Sequence, residues 1–276
     1  KYLLNIDSEE EGILTIGCAG GMDIKYSFEK EYEKKDGEFI SIELKNFQGG
    51  HSGMEIDKYK LNAIKGLVRI IDGLDSYRIG KISGGVKRNA IPSEAFAIVE
   101  VDDAKKAIKN LEIIKDEIIH EYKNSDPNGQ IIIEQCDYDG EVFTKELSEK
   151  IIKMIANVAC GTNTMMKDGV TVESSDNLAL IKEEDGFIKS EISLRSSDND
   201  ALEELSKKIR TVIEDLGINY RIDSIYPGWE YKEDSKLRPL AQKIYKEFEG
   251  KEFDTIVIHA GLECGAFYEK YPNLDI

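Results

Sequence analysis

The chain has 276 residues, of which 41% are hydrophobic and 33% charged, and a formal net charge of −17. That length and apolar share can bury a substantial core in one or two domains and exclude a disordered chain. The charge excludes a nucleic-acid binder, which needs a basic face to displace counterions, and an anionic membrane surface as partner.

The predicted elements alternate between strand and helix along the chain, with no proline-rich or low-complexity linker. Residues 2–6 read as a short apolar strand ending at Asp7. Residues 24–32 and 39–47 alternate apolar with charged side chains, as half-exposed antiparallel strands do, and Lys35-Asp36-Gly37-Glu38 supplies the turn. Residues 56–71 place Leu61, Ile64, Leu67, Val68 and Ile71 on one helical face, closed by Asp72-Gly73. Strands follow at 77–82 and 93–101. A helix over 103–122 turns Ala104, Ala107, Ile108, Leu111, Ile114, Ile118 and Ile119 inward and is capped by Asp102 or Asp103. Residues 131–133 read as a strand, 145–159 as a helix, 171–180 and 186–193 as strands, and 201–216 as a helix. Beyond them, 237–248 reads as a helix and 255–258 as a strand. Strands framing a helix, twice over, predict an α+β fold. It comprises two βαββ-like halves sharing one mainly antiparallel sheet, with helices on one face.

No apolar run reaches the ~20 residues that span a bilayer, and the start of the chain is too short for a signal peptide's apolar region. The four cysteines, Cys18, Cys136, Cys160 and Cys264, are scattered without framework spacing, which points to free thiols and a cytoplasmic protein. Cys264 reads as a packed side chain rather than a nucleophile.

Two stretches carry chemistry. Val257-Ile258-His259-Ala260-Gly261-Leu262-Glu263-Cys264-Gly265 delivers an imidazole from an apolar run onto a glycine-punctuated turn, and Leu4-Asn5-Ile6-Asp7-Ser8-Glu9-Glu10 does the same with a carboxylate. Imidazole and carboxylate are ordinary ligands of a hydrolytic zinc. By spacing alone, His259 reads first as a packed or hydrogen-bonded side chain and Asp7 as a helix cap or solvated acidic turn. No spacing forms a self-contained zinc site. Gly49-Gly50-His51-Ser52-Gly53 places a second imidazole in an unhindered turn, where it either meets a ligand or caps the next helix. Arg195 ends a strand with a planar fork suited to a carboxylate, or else forms a surface ion pair. Asn177 offers an amide donor and acceptor to a peptide backbone, or else orders its own turn.

These segments, with Ile16-Gly17-Cys18-Ala19-Gly20-Gly21, Arg88-Asn89-Ala90-Ile91-Pro92 and Tyr226-Pro227-Gly228-Trp229, closely resemble the aminoacyl-histidine dipeptidases. These are dinuclear-zinc peptidases related to carnosinase and carboxypeptidase G. The resemblance implies a lid over residues 22–225, inserted in an α/β catalytic domain represented by 1–21 and 226–276. It implies a homodimer joined through the lid, two zinc ions per complete site (replaceable by cobalt or manganese), and a dipeptide substrate. It makes Asp7 and His259 metal ligands and Arg195 and Asn177 substrate anchors. His51 becomes an oxyanion donor reaching the partner subunit's site.

One departure matters. The family's His-x-Asp ligand motif, bridging Asp and Glu-Glu pair precede the position of Asp7 and have no counterpart here. The chain is therefore expected to be part of a longer protein, to hold no zinc tightly and to hydrolyse no peptide by itself. The readings that compete with a dipeptidase are an amino-acid deacylase or carboxypeptidase of the same superfamily, and a non-catalytic dimerisation or binding module.

Overall fold

The computed structural model describes residues 1–7 and 10–276. Ser8 and Glu9 of the Asp7-Ser8-Glu9-Glu10 motif lie outside the described residues. In chain order the strands are β1 (Ile13–Cys18), β2 (Gly20–Glu29), β3 (Tyr32–Glu33), β4 (Glu38–Lys45) and β5 (Gly50–His51), followed by helix α1 (Ala63–Ile71). Then come β6 (Arg78–Gly84), β7 (Ala90–Ile91), β8 (Ala95–Val101), α2 (Ala104–Tyr122), β9 (Gln130–Cys136), β10 (Val142–Phe143) and α3 (Lys145–Asn157). The remainder is β11 (Gly161–Met165), β12 (Val172–Glu184), β13 (Phe187–Ser196), α4 (Asn199–Asp215), β14 (Asn219–Tyr226), α5 (Leu237–Glu249), β15 (Asp254–Ile258) and α6 (Glu263–Lys270).

A nine-stranded sheet runs in the order β14, β2, β13, β12, β6, β8, β4, β9, with β11 also pairing β12. Its ladders are antiparallel throughout. This is the expected α+β architecture, but the repeat is larger and differently threaded. The strands β4, β6, β8 and β9 with α1 and α2 make one βαββαβ unit. A second unit of the same order uses β2, α3, β12, β13, α4 and β14. The first unit is therefore inserted between the first strand and first helix of the second. The two halves meet edge to edge where Ile181 of β12 pairs with Gly84 of β6. A pattern read in chain order cannot show this, because β2 finds its partners β13 and β14 only after some 160 residues of intervening chain.

Helices α1, α2, α3 and α4 bury their apolar stripes in one core with the strands, including Ile40, Ile42, Leu67, Ile71, Val99, Leu111, Ile152, Leu178, Ile192 and Ile213. Asn62 shows how local capping serves this assembly. Its Oδ1 accepts from the backbone N–H of Ile64 and Lys65 at the start of α1, while its Nδ2 donates to the Leu178 carbonyl of β12 at 2.9 Å. One buried amide thus caps a helix of the first unit and ties it to a strand of the second. Asn62→Ala is expected to cost about 2–4 kcal/mol, the sum of a lost cap and a stranded buried carbonyl, measured as a lower urea midpoint with unchanged m-value.

Residues outside this sheet form a smaller assembly. Strands β1 and β15 pair in parallel, and Cys18, Trp229 and Cys264 pack together beside them. Cys18 and Trp229 exchange backbone hydrogen bonds of 2.8 and 2.9 Å where the chain crosses between the two assemblies. A Cβ on Gly20 would stand 2.5 Å from the Gly228 nitrogen, so that crossing accepts no side chain. The expected strand over 2–6 is not formed. Only Tyr2 makes an isolated bridge, to Asp275, and Ile6 is 86% exposed. Among the described residues no helix is long and apolar enough to cross a membrane.

Candidate functional site

The site is built by four segments that the fold brings together. On the sheet, Ser175 of β12 lies directly opposite Arg195 of β13, so their side chains stand on the same face. Both are buried. His259 follows the last residue of β15 and is 8% exposed. Its Nε2 lies 2.7 Å from the Ser175 Oγ, which bridges the end of the small assembly to the sheet. The fourth segment is the turn after β5. A Cβ added to Gly53 would stand 2.4 Å from the His259 carbonyl oxygen, 3.1 Å from the His51 ring and 3.3 Å from the Arg195 guanidinium carbon. Only glycine allows that turn to close so tightly on the other three residues.

His51 is held by its own turn. Its Nδ1 accepts from the backbone N–H of Gly53 and Met54, each at 3.1 Å, and its backbone N–H donates to Glu55 Oε2. A neutral ring accepting twice at Nδ1 carries its proton on Nε2 and is a hydrogen-bond donor there. It does not cap α1, a role taken by Asn62. Burial, and then the Arg195 charge, hold the His51 imidazole below its ordinary pKa, with Glu55 opposing. The same two causes, in the same order, press His259 down to about 4, with Asp57 opposing. Both rings are therefore neutral at physiological pH.

Three buried polar atoms near this point lack hydrogen-bond partners: Arg195 Nε, His259 Nδ1 and Ser52 Oγ. Buried groups are rarely left so, and their concentration at one place suits a site that receives a ligand. A neutral, buried imidazole with a free ring nitrogen also fits a metal donor. Asp7 is exposed and lines a separate groove of about 370 Å³ with Leu3, Glu10, Met54 and Glu263. Among the described residues no three His, Cys, Asp or Glu side chains converge as a metal site would need.

Asn177 lies on the same strand, two residues beyond Ser175, and is fully engaged. Its Nδ2 donates to the Ala90 carbonyl at 2.8 Å and its Oδ1 accepts from Asn62. This positions β7, which pairs with β5 at His51↔Ala90, instead of presenting an amide outward. The neighbouring Asn89 is exposed, and its carbonyl accepts from the Ser52 N–H. Asn177 stands out in its local string, whereas Ser175 does not. The detectable signal was the strand alternation that sets residues 175 and 177 on one face.

Between them, Asp176 points to the other face, 1% exposed, with Oδ1 accepting from Asn163 and Oδ2 unpartnered. Burial raises its carboxyl to about 6. A carboxyl raised on folding contributes most below its unfolded pKa, near 4, and that contribution is lost as pH rises through about 6. Asp176→Asn should therefore raise the melting temperature at pH 7.5, and its advantage should shrink as pH falls toward 4. Thermal scans across that range check the sign.

Residues 42–130 match the peptidase dimerisation domain of the M20 family. The cytosol non-specific dipeptidase of Escherichia coli (strain K12) is 31% identical over 288 residues, covering 99% of this chain and 58% of that protein. The crystal structure of aminoacylhistidine dipeptidase from Vibrio alginolyticus superposes with a TM-score of 0.94 at 30% identity, again over 99% of this chain and 58% of the other. The chain is similar to these two dipeptidases over nearly its whole length. It spans somewhat over half of their length.

Proposed function

We propose that the protein carrying this chain is a cytoplasmic, metal-dependent dipeptidase, with residues 22–225 as lid and 1–21 with 226–276 as flanks of the catalytic domain. The observation that supports this most is the convergence of His51, Ser175, Arg195 and His259 in one chain, around unpartnered buried polar atoms, on the fold of an aminoacylhistidine dipeptidase. His259 and Asp7 would hold zinc, or cobalt or manganese in its place. The further donors are proposed to lie in the part of the relatives that this chain does not cover. When bound, the metal supplies an activated water and polarises the scissile carbonyl.

The chain's own residues supply binding and orientation. Arg195 offers a planar, charged fork to the dipeptide's terminal carboxylate. His51 presents Nε2–H to the oxygen that gains charge during attack. The turn at Gly53 seats that ring against Arg195 and the His259 backbone of the same chain. The reading keeps His51 as an oxyanion donor, a role for which the resemblance implies reach into the partner subunit's site. The lid remains the proposed surface of a homodimer, as the name of the matched domain suggests.

Turnover of an Xaa-His dipeptide, an N-acyl amino acid and a tripeptide by the whole protein with added zinc tests the substrate class. The dipeptide should be the best substrate by kcat/KM. Equal or faster turnover of the acyl amino acid would move the assignment to a deacylase.

A further inference from the structure

We infer that Tyr226 is a substrate-binding residue: its hydroxyl, held beside Arg195 in the place that a Gly21 side chain would fill, donates a second hydrogen bond to the dipeptide carboxylate that Arg195 grips. The inference rests on the proposed role of Arg195 as the carboxylate anchor and names the residue that completes that anchor.

Gly21 of β2 lies directly opposite Arg195 of β13 on one side and pairs with Tyr226 of β14 on the other. A Cβ on Gly21 would collide with the Tyr226 hydroxyl and stand 2.5 Å from its ring carbon Cζ. Directly opposed residues carry their side chains roughly 5 Å apart on one face, so the phenol reaches across β2 to the base of the Arg195 side chain. Strand β14 is irregular between Asp223 and Tyr226, and Ser224 within that stretch has φ 52°, in the left-handed region. Such an irregularity bends a strand and re-aims the side chain beyond it. Gly261, two residues past His259, lies against the same ring, since its Cβ would stand 2.7 Å from Tyr226 Cε2. Two glycines that accept no side chain, one from the sheet and one from the turn after β15, therefore hold one phenol. Phenylalanine would fill that space equally well, so the hydroxyl needs its own account. Burial raises the phenol's pKa, with the Arg195 charge opposing, so at physiological pH the group is a protonated donor within the guanidinium's field. A guanidinium offers donors only and cannot accept the phenol's proton. An anion with two oxygens placed between them accepts from both, and the buried, unpartnered Arg195 Nε marks where such a partner is due.

The test uses the whole protein, its Tyr226→Phe and Arg195→Met variants, and two substrates: a dipeptide with a free terminal carboxylate and the same dipeptide as its terminal amide. Tyr226→Phe keeps the ring between the two glycines and removes only the hydroxyl. The wild type should prefer the free dipeptide. Tyr226→Phe should raise KM for it about 10–100-fold at little-changed kcat, the effect of one lost hydrogen bond to a charged group, and should turn over the amide as the wild type does. Wild-type kinetics on the free dipeptide would reduce Tyr226 to packing and overturn the inference, and so would an equal loss on both substrates. A preference for the free carboxylate that survives Arg195→Met would instead overturn the role of Arg195, and its loss in Tyr226→Phe would still assign the carboxylate to the phenol. A wild type that does not distinguish the two substrates would overturn both.

Discussion

His51→Ala in the whole protein is expected to lower kcat for a dipeptide by roughly 100–1,000-fold, about 3–4 kcal/mol, with KM little changed. The split follows from where the ring can act. Its Nδ1 is consumed by Gly53 and Met54 N–H, so Nε2–H is the ring's remaining polar group. A donor aimed at an oxygen that becomes charged during attack stabilises the transition state more than the bound substrate. The ring is also pre-set: the two turn hydrogen bonds to Nδ1 fix it before substrate arrives, while Glu55 holds the His51 backbone. Steady-state kinetics of the variant check this. A raised KM at unchanged kcat would make His51 a substrate-binding residue instead.

Replacing Arg195 is expected to act mainly on binding. Each charge-assisted hydrogen bond to the substrate carboxylate is worth about 1.5–3 kcal/mol, so Arg195→Lys, which keeps the charge and loses the fork, should cost roughly 10–100-fold in kcat/KM. Arg195→Met should cost more and carry a second signature. The Arg195 charge depresses the pKa of both His51 and His259, so removing it lets both rise. Proton titration by NMR should show that rise in Arg195→Met and little of it in Arg195→Lys. Equal kinetics for wild type and Arg195→Lys would rule out a bidentate grip.

What the sequence reveals of this fold depends on how local each cause is. Helix α2 lies where its apolar stripe and Asp103 place it, with Asp103 Oδ1 accepting from the Lys106 N–H. Helix α1 starts at Ala63, later than periodicity suggests, because Leu61 N–H is taken by Asp126 and Asn62 becomes the cap. Strand β14 escaped notice since Tyr220 and Ile222 are only half-buried at the sheet's edge. Helix α6 was hidden by the glycine beside Cys264, which reads as part of a turn. The nesting of one βαββαβ unit within the other was out of reach, because it depends on pairing between distant strands.

The site divides the same way. His51, His259 and Arg195 were legible as residue types in distinctive local strings. Ser175 and the closeness of Gly53 to His259 were not, since register and chain crossing create them. Asn177 was noticed for an amide that the fold uses internally.

Zinc binding by calorimetry to the whole protein, alongside His259→Ala and Asp7→Ala, tests the central claim most directly. The account predicts tight uptake of roughly two ions per chain, as a two-metal hydrolytic site requires, and loss of tight binding in both variants. Tight binding that survives both substitutions, or none in the wild type, would contradict it and leave this chain as a dimerisation module without a part in metal chemistry.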